Sequence, residues 1–78
     1  MNTKRLIPLT HLPIGETGRV KYIEDSHMKR RFLDLGLTPN TIVKTERYSP
    51  SGNPIAYRFR ATIIAIRREE AENIFVSR

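Results

Sequence analysis

The sequence predicts a mainly β fold: a small closed barrel of about five short strands, with one inserted α-helix near residues 27–35 and a short helical turn near the C-terminus. Three observations carry this. The chain has 78 residues and no cysteine, so neither a disulfide nor a thiolate-bound metal can staple it. A chain this short buries only about 60 % of its unfolded surface, which favours an architecture economical in residues. Short segments of period two are separated by clusters of Gly, Pro, Asn and Ser, as strands are separated by turns. The third observation is the run from Arg30 to Thr41, where one helical pattern leads directly into a stop signal, a turn and a strand start.

Residues 1–5 are polar and are expected to be disordered, leaving 6–78 as a single domain. Leu6 to Leu12 is a short apolar segment broken by Pro8 and followed by Pro13, and it reads as a lid or edge piece. Gly15-Glu16-Thr17-Gly18 is a turn, after which Arg19-Val20-Lys21-Tyr22-Ile23 alternates basic with apolar residues as a half-buried strand does. Glu24 ends that strand. Asp25 or Ser26 then offers an N-cap for a helix from about His27 to Leu35. On that helix Met28, Phe32 and Leu35 share one narrow arc with Leu33 beside it, while Arg30, Arg31 and Asp34 take the wet side.

Gly36 stands where a left-handed C′ residue belongs, and Leu37 can fold back onto the helix. Pro39 and Asn40 suit the centre of a β-turn, since proline fixes φ and asparagine tolerates φ > 0. The strand Thr41 to Tyr48 places Val43, Thr45 and Arg47 on one face and Ile42, Lys44, Glu46 and Tyr48 on the other; neither face is cleanly apolar. Ser49 to Pro54 is the densest turn signal. It should be the exposed tip of a hairpin whose second strand, Ile55 to Arg60, turns Ile55, Tyr57 and Phe59 inward. Thr62 to Ile66 is apolar on both faces and is expected to need cover on both sides, with the helix as the natural cover. Glu69 to Asn73 predicts one helical turn, its acids suited to the positive end of a helix dipole, before a last strand at Ile74-Phe75-Val76. An SH3-like barrel fits this order of elements best.

Fourteen Lys and Arg against eight Asp and Glu leave a net charge of +6, which draws the chain towards phosphate, an anionic leaflet or an acidic partner. No apolar run approaches the ~20 residues of a membrane span, and the apolar stretch near the start is too short for a signal peptide. The expected location is the cytoplasm. Catalysis finds no support: there is no Cys nucleophile, no Gly-x-Ser-x-Gly elbow and no phosphate loop, and Glu69-Glu70 sit adjacent on a surface turn where both can stay ionised.

The chain resembles the FeoA family, the small cytosolic partners of the bacterial ferrous iron transporter FeoB; related domains also end iron-dependent repressors of the diphtheria-toxin type. The resemblance starts with Leu9, Leu12, Gly15, Gly18 and Val20. It is strongest in Arg30-Arg31 and Leu33-Asp34-Leu35-Gly36-Leu37 with Pro39 and Thr41, and it continues through Gly52, Pro54-Ile55, Arg60, Ala65, Arg67, Glu70-Ala71, Ile74 and Val76. Two departures stand out: Asn40 follows the proline where glycine is usual, and Ala61 follows the strand arginine where glycine is common. The resemblance implies a non-enzymatic SH3-like adaptor that binds FeoB from the cytosolic side and carries no cofactor.

For the docking surface, Ile42 and Tyr48 on the outward face of the second strand should leave an apolar cleft, rimmed by Arg30 and Arg31 from the wet side of the helix. Hydrophobic anchoring would then be combined with electrostatic selection. A local iron site from Glu24, Asp25 and His27 is the weaker reading, because Asp25 serves as a cap and no second histidine lies near; His11 is far off in sequence. Nucleic-acid binding is the alternative function, with Arg19, Lys21, Arg58 and Arg60 alternating on strands and Tyr22, Tyr48 and Tyr57 as stacking faces.

Overall fold

A computed structural model of the chain describes residues 5–24 and 28–78. Its strands are β1 (Leu6–Pro8), β2 (Thr17–Ile23), β3 (Ile42–Tyr48), β4 (Ile55–Phe59), β5 (Thr62–Ile66) and β6 (Ile74–Ser77). Helix α1 (Lys29–Asp34) lies between β2 and β3, α2 (Arg68–Ala71) lies between β5 and β6, and Leu9–His11 forms a 3-10 turn. All pairings are antiparallel, and the sheet runs β1-β6-β2-β3-β4-β5. The mainly β architecture, the inserted helix and the C-terminal helical turn are as the sequence predicts. The strand beyond the expected five is β1, which is too short to show a period.

β4 follows its pattern: Ile55, Tyr57 and Phe59 are buried while Arg58 faces solvent. The early apolar segment supplies the other side of the core, with Leu9 and Leu12 buried beneath the 3-10 turn. Two side chains tie it there, as the Tyr57 hydroxyl donates to the Leu9 carbonyl at 3.4 Å and the Thr45 hydroxyl to the Leu12 carbonyl at 2.9 Å. Each fully buried leucine contributes roughly 1.5–3 kcal/mol.

Four details depart from expectation. Helix α1 has six residues, beginning at Lys29; Asp25, Ser26 and His27, the expected caps and first helical residue, lie outside the described residues. Its buried side is Phe32, with Met28 and Leu33 partly buried against the core, whereas Leu35 is 43 % exposed. The helix ends before Leu35 can face inward: Leu37 N–H donates to the Phe32 carbonyl and Gly36 N–H to the Leu33 carbonyl, each at 3.0 Å. That double bond pattern is a Schellman closure, and it buries Leu37 in place of Leu35.

The second departure is Tyr22, which is 51 % exposed and tilted against Phe75. A register shift between Val20 and Tyr22 changes the phase of β2, so Ile23 turns inward instead. A similar shift between Thr45 and Arg47 in β3 sends Arg47 outward while Val43 and Thr45 stay buried. Third, β5 is not covered on both faces. It is the edge of the sheet, with Ile66 buried, Ile64 partly buried and Ile63 and Ala65 exposed. Fourth, Arg60 is not a strand residue: Arg60 and Ala61, with φ of 52° and 63°, form the tight turn between Phe59 and Thr62.

Candidate functional site

The segment Leu33-Asp34-Leu35-Gly36-Leu37-Thr38-Pro39-Asn40-Thr41 is a built corner. Gly36 has φ +99° and Asn40 φ +77°, backbone conformations that other residues adopt only with strain. The corner is locked by Arg60, whose Nε donates to the Gly36 carbonyl at 2.9 Å and whose Nη2 donates to the hydroxyls of Thr38 and Thr41 at 3.3 Å each. Arg19 holds its far end by donating from Nη1 to the Asn40 carbonyl at 3.1 Å. The sequence marked Arg60 and Arg19 as outward basic residues, candidates for nucleic-acid contact, and Arg60 as part of the family resemblance, but gave neither a structural role. The signal that could have found Arg60 is its position beside Ala61, where the chain needs positive φ.

The four expected partner-binding residues do not line one pocket. Arg30 pairs with Asp34 at 3.6 Å one helical turn away, both well exposed. Arg31 reaches Glu70 at 3.7 Å and so joins α1 to α2. Ile42, 47 % exposed, borders a shallow pocket of about 180 Å³ with Thr17, Gly18, Arg19, Ser77 and Arg78. Tyr48 borders a groove of about 540 Å³ with Arg47, Ser49, Pro50, Pro54, Ala56 and Ala65. Ile42 and Tyr48 end a seven-residue strand, which sets them roughly 20 Å apart, and neither cleft is lined by Arg30 or Arg31.

The groove is firmly framed. Asn53 Oδ1 accepts the Arg68 N–H at 3.0 Å, capping α2, while its Nδ2 donates to Glu69 Oε1 at 3.3 Å. Arg68 in turn donates to the Gly52 carbonyl at 2.6 Å and lies over the Tyr48 ring at 5.2 Å, a cation–π placement. The hairpin tip is therefore fastened to α2. Backbone and Asn53 hydrogen bonds hold the Glu69 carboxyl below the usual carboxylate range. The Arg58 hydrogen bond at 2.7 Å does the same for Glu46, with Lys44 at 4.0 Å adding to it. Burial pushes the Tyr57 hydroxyl well above its ordinary value, in keeping with a core residue that stays neutral.

Among the described residues no group of three or more His, Cys, Asp or Glu could hold a metal ion; Asp25 and His27 of the weaker iron reading lie outside them. For nucleic-acid binding, Arg19, Lys21 and Arg58 are exposed as expected, but Tyr57 is buried and offers no stacking face. Among the described residues no helix is long and apolar enough to cross a membrane. What the surface offers is a rigid corner, a framed apolar groove and scattered guanidinium groups, which suits binding.

Comparison with known proteins bears on the family and the fold. The FeoA domain family model matches residues 7–78. The solution structure of FeoA from Chlorobium tepidum is 32 % identical with a TM-score of 0.85, covering 91 % of this chain and 69 % of that one. A FeoA-like protein from Clostridium acetobutylicum is 31 % identical with a TM-score of 0.86, covering 97 % of this chain and 88 % of that one. A zinc-complexed FeoA from Stenotrophomonas maltophilia is described as a prokaryotic SH3 domain protein and put forward as a ferrous iron transport activating factor. It is 27 % identical with a TM-score of 0.78, covering 88 % of this chain and 87 % of that one. No curated protein gives a significant match.

Proposed function

The chain belongs to the FeoA family, and from that premise we propose that it is a non-enzymatic cytosolic accessory protein of bacterial ferrous iron uptake, binding a FeoB-type transporter through protein–protein contacts as one domain over residues 6–78. The family match across residues 7–78 carries this reading. Ferrous iron is then the transporter's cargo, and this chain works by contact. Arg30 and Arg31 are the contacts of choice for an acidic or carbonyl-rich transporter segment, because both guanidinium groups are exposed and the Arg30–Asp34 pairing is readily exchanged, while Arg31 is held by the half-buried Glu70. Ile42 and Tyr48 add apolar area in two separate patches.

The test is a binding titration against the cytosolic domain of a ferrous transporter and against a random oligonucleotide, each at two salt concentrations. An adaptor binds the transporter domain with modest salt dependence. The exposed Arg19, Lys21 and Arg58 support nucleic-acid binding as the second reading; a single-strand binder would lose affinity with a slope near −0.7 per phosphate contact. Oligonucleotide binding of that kind, with no binding of the transporter domain, would replace the adaptor reading.

A further inference from the structure

The two edges of the sheet are unequally protected. β1 is three residues long and carries Pro8, the usual means of blunting an edge against unwanted pairing. β5, the other edge, has five residues, Thr-Ile-Ile-Ala-Ile, with no proline and no charge. Among the described residues no strand pairs with its outer side, and Ile63 is 42 % exposed there. The direction of its free groups follows from the register. Phe59 faces Thr62 across the two-residue turn, so that pair is hydrogen-bonded, and bonded pairs alternate along an antiparallel ladder. Tyr57 with Ile64 and Ile55 with Ile66 are then bonded pairs, whereas Ile63 and Ala65 direct N–H and C=O away from β4.

Charge selects the occupant. Arg60 precedes β5 and Arg67 follows it, and no ion pair among the described residues includes either. Arg60 donates only to neutral oxygens. A second copy pairing antiparallel through the same edge would bring Arg60 of each chain to the Arg67-Arg68 end of the other, on molecules each carrying +6. We infer that β5 is a docking edge for an extended segment of a protein partner, added antiparallel as a seventh strand, with an uncharged apolar centre and carboxylates at both ends. Its outer side chains would continue the row Arg47-Ala56-Ala65 and so lie beside the groove framed by Tyr48 and Pro54. Backbone bonds supply affinity, and the terminal carboxylates meet Arg67 at one end and, at the other, the uncompensated charge of Arg60, whose Nε and Nη2 stay on the Gly36–Thr41 corner. The inference rests on the adaptor reading for the presence of a protein partner, and its test separates the two.

The probe is a synthetic peptide with a valine–threonine alternation as long as β5 between pairs of glutamates, compared with the same peptide flanked by lysines. Amide hydrogen exchange should slow at Ile63 and Ala65 on adding the glutamate peptide and stay unchanged at Tyr57 and Ile64, with about tenfold weaker binding of the lysine peptide. Ala65→Pro deletes an outward donor without touching the β4 ladder, so it should abolish binding and keep the circular dichroism of the fold. Should that variant misfold, N-methylation of the peptide at edge-facing residues must block binding to the wild-type chain. No slowing, equal slowing by the lysine peptide, slowing that grows with protein concentration alone, or slowing by an oligonucleotide instead would each overturn the inference. Transporter-domain binding without peptide protection would sink this inference and spare the adaptor reading. Peptide protection without transporter binding would do the reverse.

Discussion

At Gly36 a single backbone angle decides whether a helix can end and a strand can start. A Cβ there would meet Arg60 Cδ at 3.3 Å while φ stays at +99°, so crowding adds to strain. Gly36→Val should lower stability by roughly 2–4 kcal/mol, through backbone strain and partial loss of the Schellman closure that buries Leu37; Gly36→Asn should cost markedly less. A thermal midpoint for the valine variant equal to wild type would exclude the left-handed conformation. Ala61, at φ 63°, is the converse case, an alanine where the turn wants glycine. Ala61→Gly should raise stability by about 0.5–1 kcal/mol in a denaturant titration, because relief of left-handed strain exceeds the added chain entropy. Gly36 and Asn40 were legible in the sequence because few residue types tolerate their angles. The work of Arg60 was not, since its acceptor is 24 positions away and such a contact leaves no period.

The helix α1 and the strands show how far an element's pattern reaches. Six helical residues cannot present the full arc expected of nine, so Phe32 carries the packing and the arginines stay outside. The double reversal Arg30→Glu, Arg31→Glu should therefore leave the circular dichroism near wild type and lower the midpoint only modestly, at a cost of about 1–2 kcal/mol for the exposed Arg30–Asp34 pair and the half-buried Arg31–Glu70 pair. On the proposed function it should weaken transporter binding and impair iron uptake. A folded double mutant with wild-type affinity and uptake would move the search to the groove beside the Ser49–Pro54 tip. Between β3 and β4, Glu46 sits among Arg58 and Lys44 with its pKa lowered. A carboxyl whose folded pKa lies below its unfolded one contributes stability that is fully present above the unfolded value, about 4.3, and is lost as pH falls through the folded value. Glu46→Gln should accordingly flatten the acid limb of a stability–pH curve below about pH 4.3 and change little at neutral pH beyond its lost charge pair. An acid limb identical to wild type would place the acid sensitivity elsewhere.

At the scale of the whole molecule, no group of three or more His, Cys, Asp or Glu among the described residues is placed to hold a metal ion. Ferrous iron added anaerobically should leave the thermal midpoint unchanged. A ligand specific to the folded state would add ~2.7 kcal/mol at a hundred times its dissociation constant. A midpoint that rises with Fe(II) and ceases to do so in His27→Ala or Asp25→Ala would restore the local iron site.

The sequence by itself determined the mainly β class, the order and approximate bounds of most elements, the buried face of β4, the Gly36 stop and the Asn40 turn. All of these follow from local periodicity or from the angles one residue can adopt. Only the tertiary structure decided which strands form the edges, because Thr62–Ile66 reads the same whether a strand is sandwiched or terminal. It also decided the two register shifts that turn Tyr22 and Arg47 outward, since a bulge is set by the partner strand. Last, it set Ile42 and Tyr48 on two different pockets, neither of them lined by Arg30 or Arg31. A surface is assembled from segments distant in the chain, and their adjacency is a property of the folded sheet rather than of any stretch of residues.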